Sequence, residues 1–325
     1  MISEFRKKVA SDDFHFEELA LEAFWIQYAH NQLYRAYVDH LKVDPAETST
    51  IYNIPFLPIE FFKTSQVITG QWLPEKIFKS SGTTKTGRSE HAVDQLDFYL
   101  KHSSDLFRDA YGEPQGIDLI ALLPSYQEQG DSSLIAMVDE LLNSSASEQS
   151  GYYLTNTGNI GAAISNSKDN ARRAIVIGVS YALLDLAEMG RINMRGVNVI
   201  ETGGMKGRRK EMIRNELHDR LKSAFNIDSV HSEYGMTELL SQAYSTGNGL
   251  FSENDWLKCL IRDINDPLSY VEAGSSGGIN VIDLANIHSC CFVETKDIGR
   301  KPDQNSFEVL GRFDNSDIRG CNLLL

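Results

Sequence analysis

Short apolar runs near the middle of the chain constrain the fold more than any other sequence feature. The runs IDLIALLP at 117–124 and AIVIGVS at 174–180 are strand-like, and NVIETGG at 198–204 is a third. Helical patterns lie around and between these runs, at 132–143, 158–166 and 181–189. Strands that alternate with helices predict an α/β fold with mostly parallel sheets flanked by helices. Ligand sites in such folds form in loops beyond the carboxyl ends of the strands.

The segments on either side extend this pattern. An N-terminal helical segment is predicted from Asp13 to about Lys42. The next stretch, 51–70, contains prolines and many large apolar side chains, which predicts a packed loop that lines a cavity. Its apolar side chains could contact a lipid chain, and ordinary core packing is the alternative. After residue 204, the sequence predicts a helix at 206–225, a strand over SVHSEYG and a helix over TELLSQAYS.

The sequence pattern changes from alternating strands and helices to short strands towards the end of the chain. Residues 274–301 and 305–325 consist of short strand-like runs separated by Gly and Asp turns. We therefore expect a large α/β core at 1–250, which includes the N-terminal helical segment, and a small β-rich subdomain at 251–325.

Charge and composition exclude several classes of protein. The 325-residue chain has a formal net charge of -14, which repels phosphate backbones, so nucleic acid is not an expected partner. Its 4 cysteines have no zinc-site spacing, which favours a reducing compartment. The N-terminus lacks the apolar core of a signal peptide, and no uncharged apolar stretch is long enough to span a bilayer. These features predict a cytoplasmic protein without a membrane span.

The first segment that carries chemistry is a loop rich in serine, threonine and glycine, at Phe78–Ser89. It follows the strand-like EKIF and precedes a helix that we expect from about Glu90 through Tyr111. The backbone N–H groups and hydroxyls of such a loop can surround phosphate oxygens, and the positive end of the following helix strengthens their attraction. The loop therefore predicts a phosphate site, although an ordinary turn that caps a helix has the same composition.

The same loop is similar to a P-loop. Gly82, Gly87, Arg88 and Ser89 satisfy that pattern except that arginine replaces the lysine. A planar guanidinium is not an equal substitute for the compact lysine charge. A degenerate P-loop phosphotransferase, which would release ADP or transfer a γ-phosphoryl group, is therefore the second interpretation.

The second segment is Val230–Glu238, interpreted as a strand, a glycine turn and the start of a helix. There, Thr237 could donate to a phosphate and Glu238 could offer Mg²⁺ the hard carboxylate oxygen that it prefers. Tyr234 could stack on a nucleobase. A simple helix cap is the alternative.

The third segment pairs a predicted turn at Glu294–Arg300 with another at Gly311–Asp314. A carboxylate in a turn, here Asp297, can accept hydrogen bonds from both ribose hydroxyls, and Arg312 can reach ribose or phosphate oxygens. Polar hairpin turns are the alternative.

Together these segments resemble the adenylate-forming superfamily of acyl-CoA synthetases, luciferases and peptide-synthetase adenylation domains. The closer likeness is to the long-chain fatty-acid acyl-protein synthetases encoded in bacterial luminescence operons. That likeness covers most of residues 50–325. It rests on Leu123–Tyr126, Ser132–Leu134, Glu201–Gly207, His231–Ser245 and Gly311–Leu323.

The resemblance implies ATP and Mg²⁺ as cofactors and assigns residues to them. Thr237 would touch the α-phosphate, and Glu238 would bind Mg²⁺. The implied nucleotide ligands are Ser80, Ser81, Gly82, Thr83 and Thr84 at the phosphates, Gly203, Gly204, Tyr234 and Gly235 around adenine, and Asp297 and Arg312 at the ribose.

The chain departs from the superfamily pattern in two respects. Arg88 and Ser89 stand where the phosphate loop of other members usually has lysine followed by glycine. Typical members also continue after the Gly311–Arg312 segment into a mobile C-terminal domain whose lysine assists adenylation, and that domain is not expected here. Electrostatic stabilisation of the transition state would then come from Arg88, another basic residue near these motifs (Lys79, Lys85 or Lys206) or a partner subunit.

The resemblance also implies an acyl acceptor. In luminescence synthetases a cysteine near the C-terminus receives the acyl chain and passes it to a reductase, and Cys321 is the matching residue, with a small buried side chain as the alternative. The expected reaction is ATP-dependent activation of a fatty acid or another carboxylic acid to acyl-AMP, followed by acyl transfer to Cys321 or to a thiol of a partner such as a fatty-acyl reductase or carrier protein. A noncatalytic nucleotide- or acyl-binding subunit remains a rival hypothesis.

Overall fold

The computed structural model describes residues 2–11, 15–81, 87–125, 127–190, 192–204 and 212–313. The helices are α1 Ile2–Val9, α2 Phe16–His30, α3 Gln32–His40, α4 Phe61–Thr64, α5 Leu96–Tyr111, α6 Ser133–Ser145, α7 Ile160–Asp169, α8 Ser180–Glu188 and α9 Arg214–Phe225. Short 3₁₀ turns occur at Pro45–Glu47, Ile51–Asn53, Pro114–Gly116, Thr157–Asn159 and Leu284–His288.

The strands fall into two larger sheets and a hairpin. They are β1 Leu57–Pro58, β2 Lys76–Lys79, β3 Glu90–Val93, β4 Ile117–Leu122, β5 Gly151–Tyr152, β6 Arg173–Gly178, β7 Asn198–Glu201, β8 His231–Tyr234, β9 Ala243–Ser245, β10 Leu250–Ser252, β11 Leu257–Arg262, β12 Ser276–Asp283, β13 Phe292–Asp303 and β14 Ser306–Arg312.

The first sheet is built from the apolar runs of the sequence. Its strand order is β5-β4-β6-β7-β8-β9, and its strands are parallel except for the antiparallel edge strand β9. All six residues of β4 are buried, as expected for a strand covered by helices on both faces. A hydrophobic core that includes buried side chains of α5, α6, α7, α8 and α9 surrounds this sheet.

The second sheet is antiparallel, in the order β10-β14-β13-β12-β11, with the short β1 added in parallel to β13. Its hydrophobic core contains residues of the N-terminal helices as well as residues of the C-terminal strands. Phe5 of α1, Phe24 of α2 and Tyr34 of α3 are buried in the same cluster as Phe292 and Phe307 of the sheet. The N-terminal helices therefore cover the C-terminal strands, and the expected division at residue 250 stays a prediction.

The sequence patterns and the structure agree on the mixed α/β fold and on most of its strands. The predicted N-terminal helical segment is two helices, α2 and α3, because Asn31 ends one and caps the next by accepting from the Tyr34 N–H. The helix expected at 206–225 is described from Arg214, since 205–211 lie outside the described residues. No helix in the described ranges is long and apolar enough to cross a membrane.

Candidate active site

The serine- and threonine-rich segment connects the two antiparallel strands β2 and β3. At its base, the Ser80 N–H donates to the Ser89 carbonyl at 3.0 Å, and the Ser89 N–H donates to Ser80 Oγ at 2.9 Å. Ser80 is thereby fixed at the base of the loop, and Ser81 follows it as an exposed residue. The predicted phosphate ligands Gly82, Thr83 and Thr84 lie outside the described residues.

The prediction of a helix that begins at about Glu90 is wrong for its first residues. Glu90–Val93 form β3, and α5 begins at Leu96. The reason is non-local, because the hairpin gives Glu90–Val93 a partner strand that local helical periodicity does not reveal. The loop therefore has no helix N-terminus directly behind it and lacks the strand–loop–helix arrangement of a P-loop.

Arg88 is engaged at the base of this hairpin. Its Nη1 donates to Asp131 Oδ2 at 2.7 Å, its Nη2 to the Lys79 carbonyl at 3.2 Å, and its Nε to the Ser80 carbonyl. The side chain remains 40% exposed. In this arrangement Arg88 ties the hairpin to the loop before α6, and a catalytic role would require it to leave Asp131. No sequence motif marked Asp131 as its partner.

The predicted helix over TELLSQAYS is also wrong. Residues 235–242 form turns and irregular backbone, and Ala243–Ser245 are strand β9. The Leu240 and Ser241 N–H groups donate to Asp283 Oδ2 at 2.8 and 3.0 Å. The buried Asp283 carboxylate of β12 accepts these two hydrogen bonds. The backbone of this segment therefore satisfies its N–H groups without forming a helix.

Thr237 is held against the hairpin through its backbone. His91 Nδ1 lies 2.7 Å from the Thr237 carbonyl, and since a carbonyl only accepts, this ring nitrogen carries the proton. Burial lowers the pKa of His91 to about 4, so the imidazole is neutral at pH 7. His91, which lies next to the first segment but had no role assigned from the sequence, positions the Thr237–Glu238 turn beside β3.

Glu238 is buried, and Ser89 of the hairpin hydrogen-bonds to its side chain. Burial raises the pKa of Glu238, while Ser89, Arg312 and Lys63 act in the opposite direction. A nearby cation would stabilise its ionised form, so the residue fits the expected role of a single protein ligand to nucleotide-bound Mg²⁺. Within the described ranges, no group of three or more His, Cys, Asp or Glu side chains could hold a metal on its own.

Asp297 and Arg312 face each other across neighbouring strands. We expected both in turns, but Asp297 lies in β13 and Arg312 in β14, where they are directly paired in register. The Arg312 Nε is 3.7 Å from Asp297 Oδ1, and the Tyr234 hydroxyl donates to Asp297 Oδ2 at 3.0 Å. The exposed Arg312 and the mostly buried Asp297 form a carboxylate–guanidinium pair at the end of the sheet.

Tyr234 also packs against a phenylalanine of the antiparallel sheet. Its ring packs edge-on against Phe307 at 5.3 Å between centroids and leaves the residue 7% exposed. At the next residue, Gly235, a Cβ would lie 2.2 Å from Glu233 Oε1, so any larger residue would displace the Glu233 carboxyl group. The Tyr234 ring is held by its packing, and its stacking on adenine stays a prediction.

Gly203 and Gly204 follow β7 with φ of +74° and +90°, a conformation that favours glycine. Glu201 fixes this turn, since its Oε2 accepts from the Gly203 N–H at 2.8 Å and its Oε1 lies 3.3 Å from Arg214 Nε. Burial raises the pKa of Glu201, but the hydrogen bond from His218 and the charge of Arg214 outweigh it and lower the pKa to about 2.

Two arginines connect these groups. Arg312 acts electrostatically on both Asp297 and Glu238, and Arg214 acts on both Asp297 and Glu201. The Arg214 Nη1 also donates to the Val309 carbonyl of β14 at 3.0 Å. The structure therefore brings together the hairpin base, the Thr237–Glu238 turn, the Asp297–Arg312 pair and the Gly203 turn, although they come from distant parts of the sequence.

The described cysteines are poor thiol nucleophiles. Cys259, Cys290 and Cys291 are buried and free. Burial raises the pKa of all three thiols, that of Cys290 to about 12. These three cysteines therefore act as small buried side chains. Cys321, the predicted acyl acceptor, lies outside the described residues.

No protein-family model matches the sequence, and no curated protein matches it significantly. Solved structures do match. An open conformation of 2-hydroxyisobutyryl-CoA ligase in complex with 2-HIB-AMP and CoA superposes with a TM-score of 0.67 at 14% identity, over 92% of this chain and 75% of that chain. ATP-bound MatB from Rhodopseudomonas palustris superposes with a TM-score of 0.53 at 16% identity, over 73% of this chain and 47% of that chain. The chain therefore shares its fold with these two proteins.

Within this fold, two of the candidate glycines lie at the edge of the parallel sheet where ligand sites commonly form. Gly203 follows the carboxyl end of β7, and Gly235 follows that of β8. Asp297 and Arg312 belong to the antiparallel sheet. The hydrogen bond from Tyr234 to Asp297 connects this pair to the end of β8. The closer resemblance to luminescence acyl-protein synthetases stays a prediction.

Proposed function

We propose that this protein is an ATP-dependent ligase that activates a carboxylic acid, most suitably a fatty acid, as an acyl-adenylate and then transfers the acyl group to a thiol. The observation that carries the proposal is the convergence of the Ser80–Ser89 hairpin base, Glu238 and the Asp297–Arg312 pair at one place in the fold. The similar structures named above hold ATP or the adenylate 2-HIB-AMP, which supports a nucleotide at this place.

The first half-reaction needs orientation and charge stabilisation rather than a base. An ionised carboxylate oxygen attacks the α-phosphorus of ATP, the new P–O bond forms, and the bond to pyrophosphate breaks. Asp297 accepts from the ribose hydroxyls, and the Thr237 hydroxyl donates to an α-phosphate oxygen. Glu238 would hold Mg²⁺, which neutralises charge on the leaving pyrophosphate when it is bound. The neutral His91 keeps the turn in place and transfers no proton.

The second half-reaction needs a thiolate. Its sulfur attacks the acyl carbon, the thioester forms, and AMP leaves with the electron pair of the broken C–O bond. The buried Cys259, Cys290 and Cys291 do not suit this step because their raised pKa values keep them protonated. We therefore assign the acceptor role to Cys321 or to the thiol of a partner protein.

A product assay tests the first half-reaction. Purified protein is incubated with Mg-ATP, a series of short to long fatty acids and hydroxylamine, and AMP, pyrophosphate and acyl-hydroxamate are measured. We expect all three to form in an acid-dependent manner. Formation of ADP would contradict the proposal in favour of phosphotransfer, and ATP binding without turnover would favour a noncatalytic binding subunit.

A labelling experiment tests the acceptor. With radioactive fatty acid and ATP, the wild-type protein should become labelled through a hydroxylamine-sensitive bond. Cys321→Ser should keep fatty-acid-dependent pyrophosphate release and lose the label, whereas Cys259→Ser is the control that keeps it. Labelling of the Cys321→Ser variant would assign the acceptor to another residue.

A further inference from the structure

A cavity of about 330 Å³ lies between the segment after α3 and the loop that follows β11. We call it the tyrosine cavity, after Tyr37, Tyr52 and Tyr270, which line it. Its volume is at the lower end of the range of small-molecule sites. Its described lining includes none of the residues that we assign to the nucleotide.

Aromatic rings form one part of the lining. Tyr52 and Tyr270 meet edge to face, with 5.3 Å between ring centroids and an interplanar angle of 82°. Burial raises the pKa of Tyr37 and of Tyr270 to about 12, so both rings are neutral at pH 7. Tyr52 is 54% exposed and forms the outer side of the cavity. The faces of neutral tyrosine rings attract organic cations.

Charged side chains form the second part of the lining. Asp44, Glu47 and Glu294 are acidic, and Lys42 is the basic residue among the lining side chains. Glu294 also lies 3.4 Å from the Arg262 guanidinium, which offsets part of its charge. The remaining negative charge repels an anionic ligand, so the cavity does not suit the carboxylate of the proposed acid substrate.

A buried hydroxyl is the third and independent observation. Thr48 lines the cavity and is 6% exposed, yet its Oγ1 has no hydrogen-bond partner among the described residues. A buried hydroxyl without a partner is unfavourable, so its presence at the cavity wall indicates a ligand group that can donate to it or accept from it.

We propose that the tyrosine cavity binds a small organic ammonium ion that carries a hydroxyl group, with the cation against the rings of Tyr52 and Tyr270 and the hydroxyl at Thr48. This binding is separate from the nucleotide site and does not depend on the proposed ligase activity. The probe is choline, which has both features.

Isothermal titration calorimetry of the full chain with choline tests the proposal. Choline should bind, and 3,3-dimethylbutan-1-ol, its uncharged isostere, should bind at least tenfold more weakly because it lacks the charge that the rings attract. Equal affinities for the two compounds, or no binding of choline, would overturn the proposal.

Two pairs of variants assign the contacts. Tyr52→Ala should weaken choline binding about tenfold, while Tyr52→Phe, which keeps the ring, should change it less than threefold. Thr48→Val should weaken binding of choline about threefold or more and leave binding of tetramethylammonium, which has no hydroxyl, unchanged. Unchanged choline affinity in Tyr52→Ala, with the fold verified by circular dichroism, contradicts the assigned site.

Discussion

At the residue scale, Glu238 is distinctive because two distant segments of the chain determine its environment. Ser89 hydrogen-bonds to its side chain, while Asn286 Nδ2 donates to its carbonyl at 2.8 Å. The motif around Glu238 could be recognised in the sequence, but these two partners could not, since they come from a hairpin and a 3₁₀ turn far away in the chain. The same holds for His91 and Thr237.

Glu238→Gln tests the metal role of this carboxyl group. The amide keeps the shape of the side chain and can still accept from Ser89, but it is neutral and a weaker ligand for Mg²⁺. We expect acid-dependent pyrophosphate release to fall at least about 100-fold with little change in Tm. Glu216→Gln, at an exposed position of α9, is the matched control. Full activity of Glu238→Gln would remove Glu238 from the site.

Glu233 gives a pH-dependent prediction. Burial and the nearby Glu201 charge raise the pKa of Glu233 to about 8, from 4.5 in an exposed glutamate. The folded protein therefore keeps the proton that the unfolded chain releases above pH 4.5, and the stability contributed by this group is lost as pH rises from about 4.5 to 8.

Glu233→Gln should therefore be more stable than the wild type at pH 8.5, by a few kcal/mol since each pKa unit is worth about 1.4 kcal/mol, and close to it at pH 5. Urea unfolding at the two pH values measures the difference. A difference that does not depend on pH would mean that Glu233 titrates normally in the folded protein.

At the element scale, the strands of the first sheet were predictable and the hairpin was not. The runs at 117–124 and 174–180 are apolar except for Asp118 and Ser180, and they pair directly as β4 and β6. In contrast, β2 and β3 have four residues each, which is too short for a periodic signal that would reveal their pairing. The helix expected over TELLSQAYS failed because Asp283, distant in sequence, accepts its backbone N–H groups.

The pairing of β13 with β14 depends on a glycine. A Cβ at Gly299 would lie 2.4 Å from the Glu308 carbonyl oxygen, a backbone atom that cannot rotate away. We expect Gly299→Ala to lower the free energy of unfolding by at least about 2 kcal/mol and to weaken ATP binding, because this strand pair carries Asp297 and Arg312.

Gly311→Ala on the neighbouring strand is the matched control, since no atom of the described residues lies within 4 Å of its added Cβ. Its unfolding free energy should stay within about 0.5 kcal/mol of the wild type in a denaturant titration. Equal stabilities of the two variants would show that the sheet opens readily at Gly299.

At the scale of the whole molecule, a buried ionic cluster joins three parts of the chain. Arg6 of α1 donates to both oxygens of Asp94 at 2.8 and 2.9 Å, and His288 Nδ1 lies 2.7 Å from the same carboxylate. The nearby His288 and the hydrogen-bonded Arg6 outweigh the effect of burial and hold the pKa of Asp94 well below its usual range. The cluster ties the N-terminal helix and the Leu284–His288 turn to the end of β3.

Arg6→Ala should destabilise the whole protein by about 3 to 5 kcal/mol, because it leaves a buried carboxylate with one partner fewer. Lys8→Ala on the same helix removes an exposed pair with Glu22 and should lower stability by less than about 1 kcal/mol. Thermal and urea unfolding compare the two variants. Similar losses in both would mean that the Arg6–Asp94 pair contributes no more than a surface ion pair.

The shared core of the N-terminal helices and the C-terminal strands also has a consequence for biosynthesis. Helices α1, α2 and α3 leave the ribosome long before Phe292 and Phe307, against which their apolar residues are buried. Until then the nascent chain displays side chains such as Phe24 and Tyr34 without their final partners. Because such long-range contacts form slowly, we expect this segment to be bound by chaperones during translation and to dock in the last step of folding.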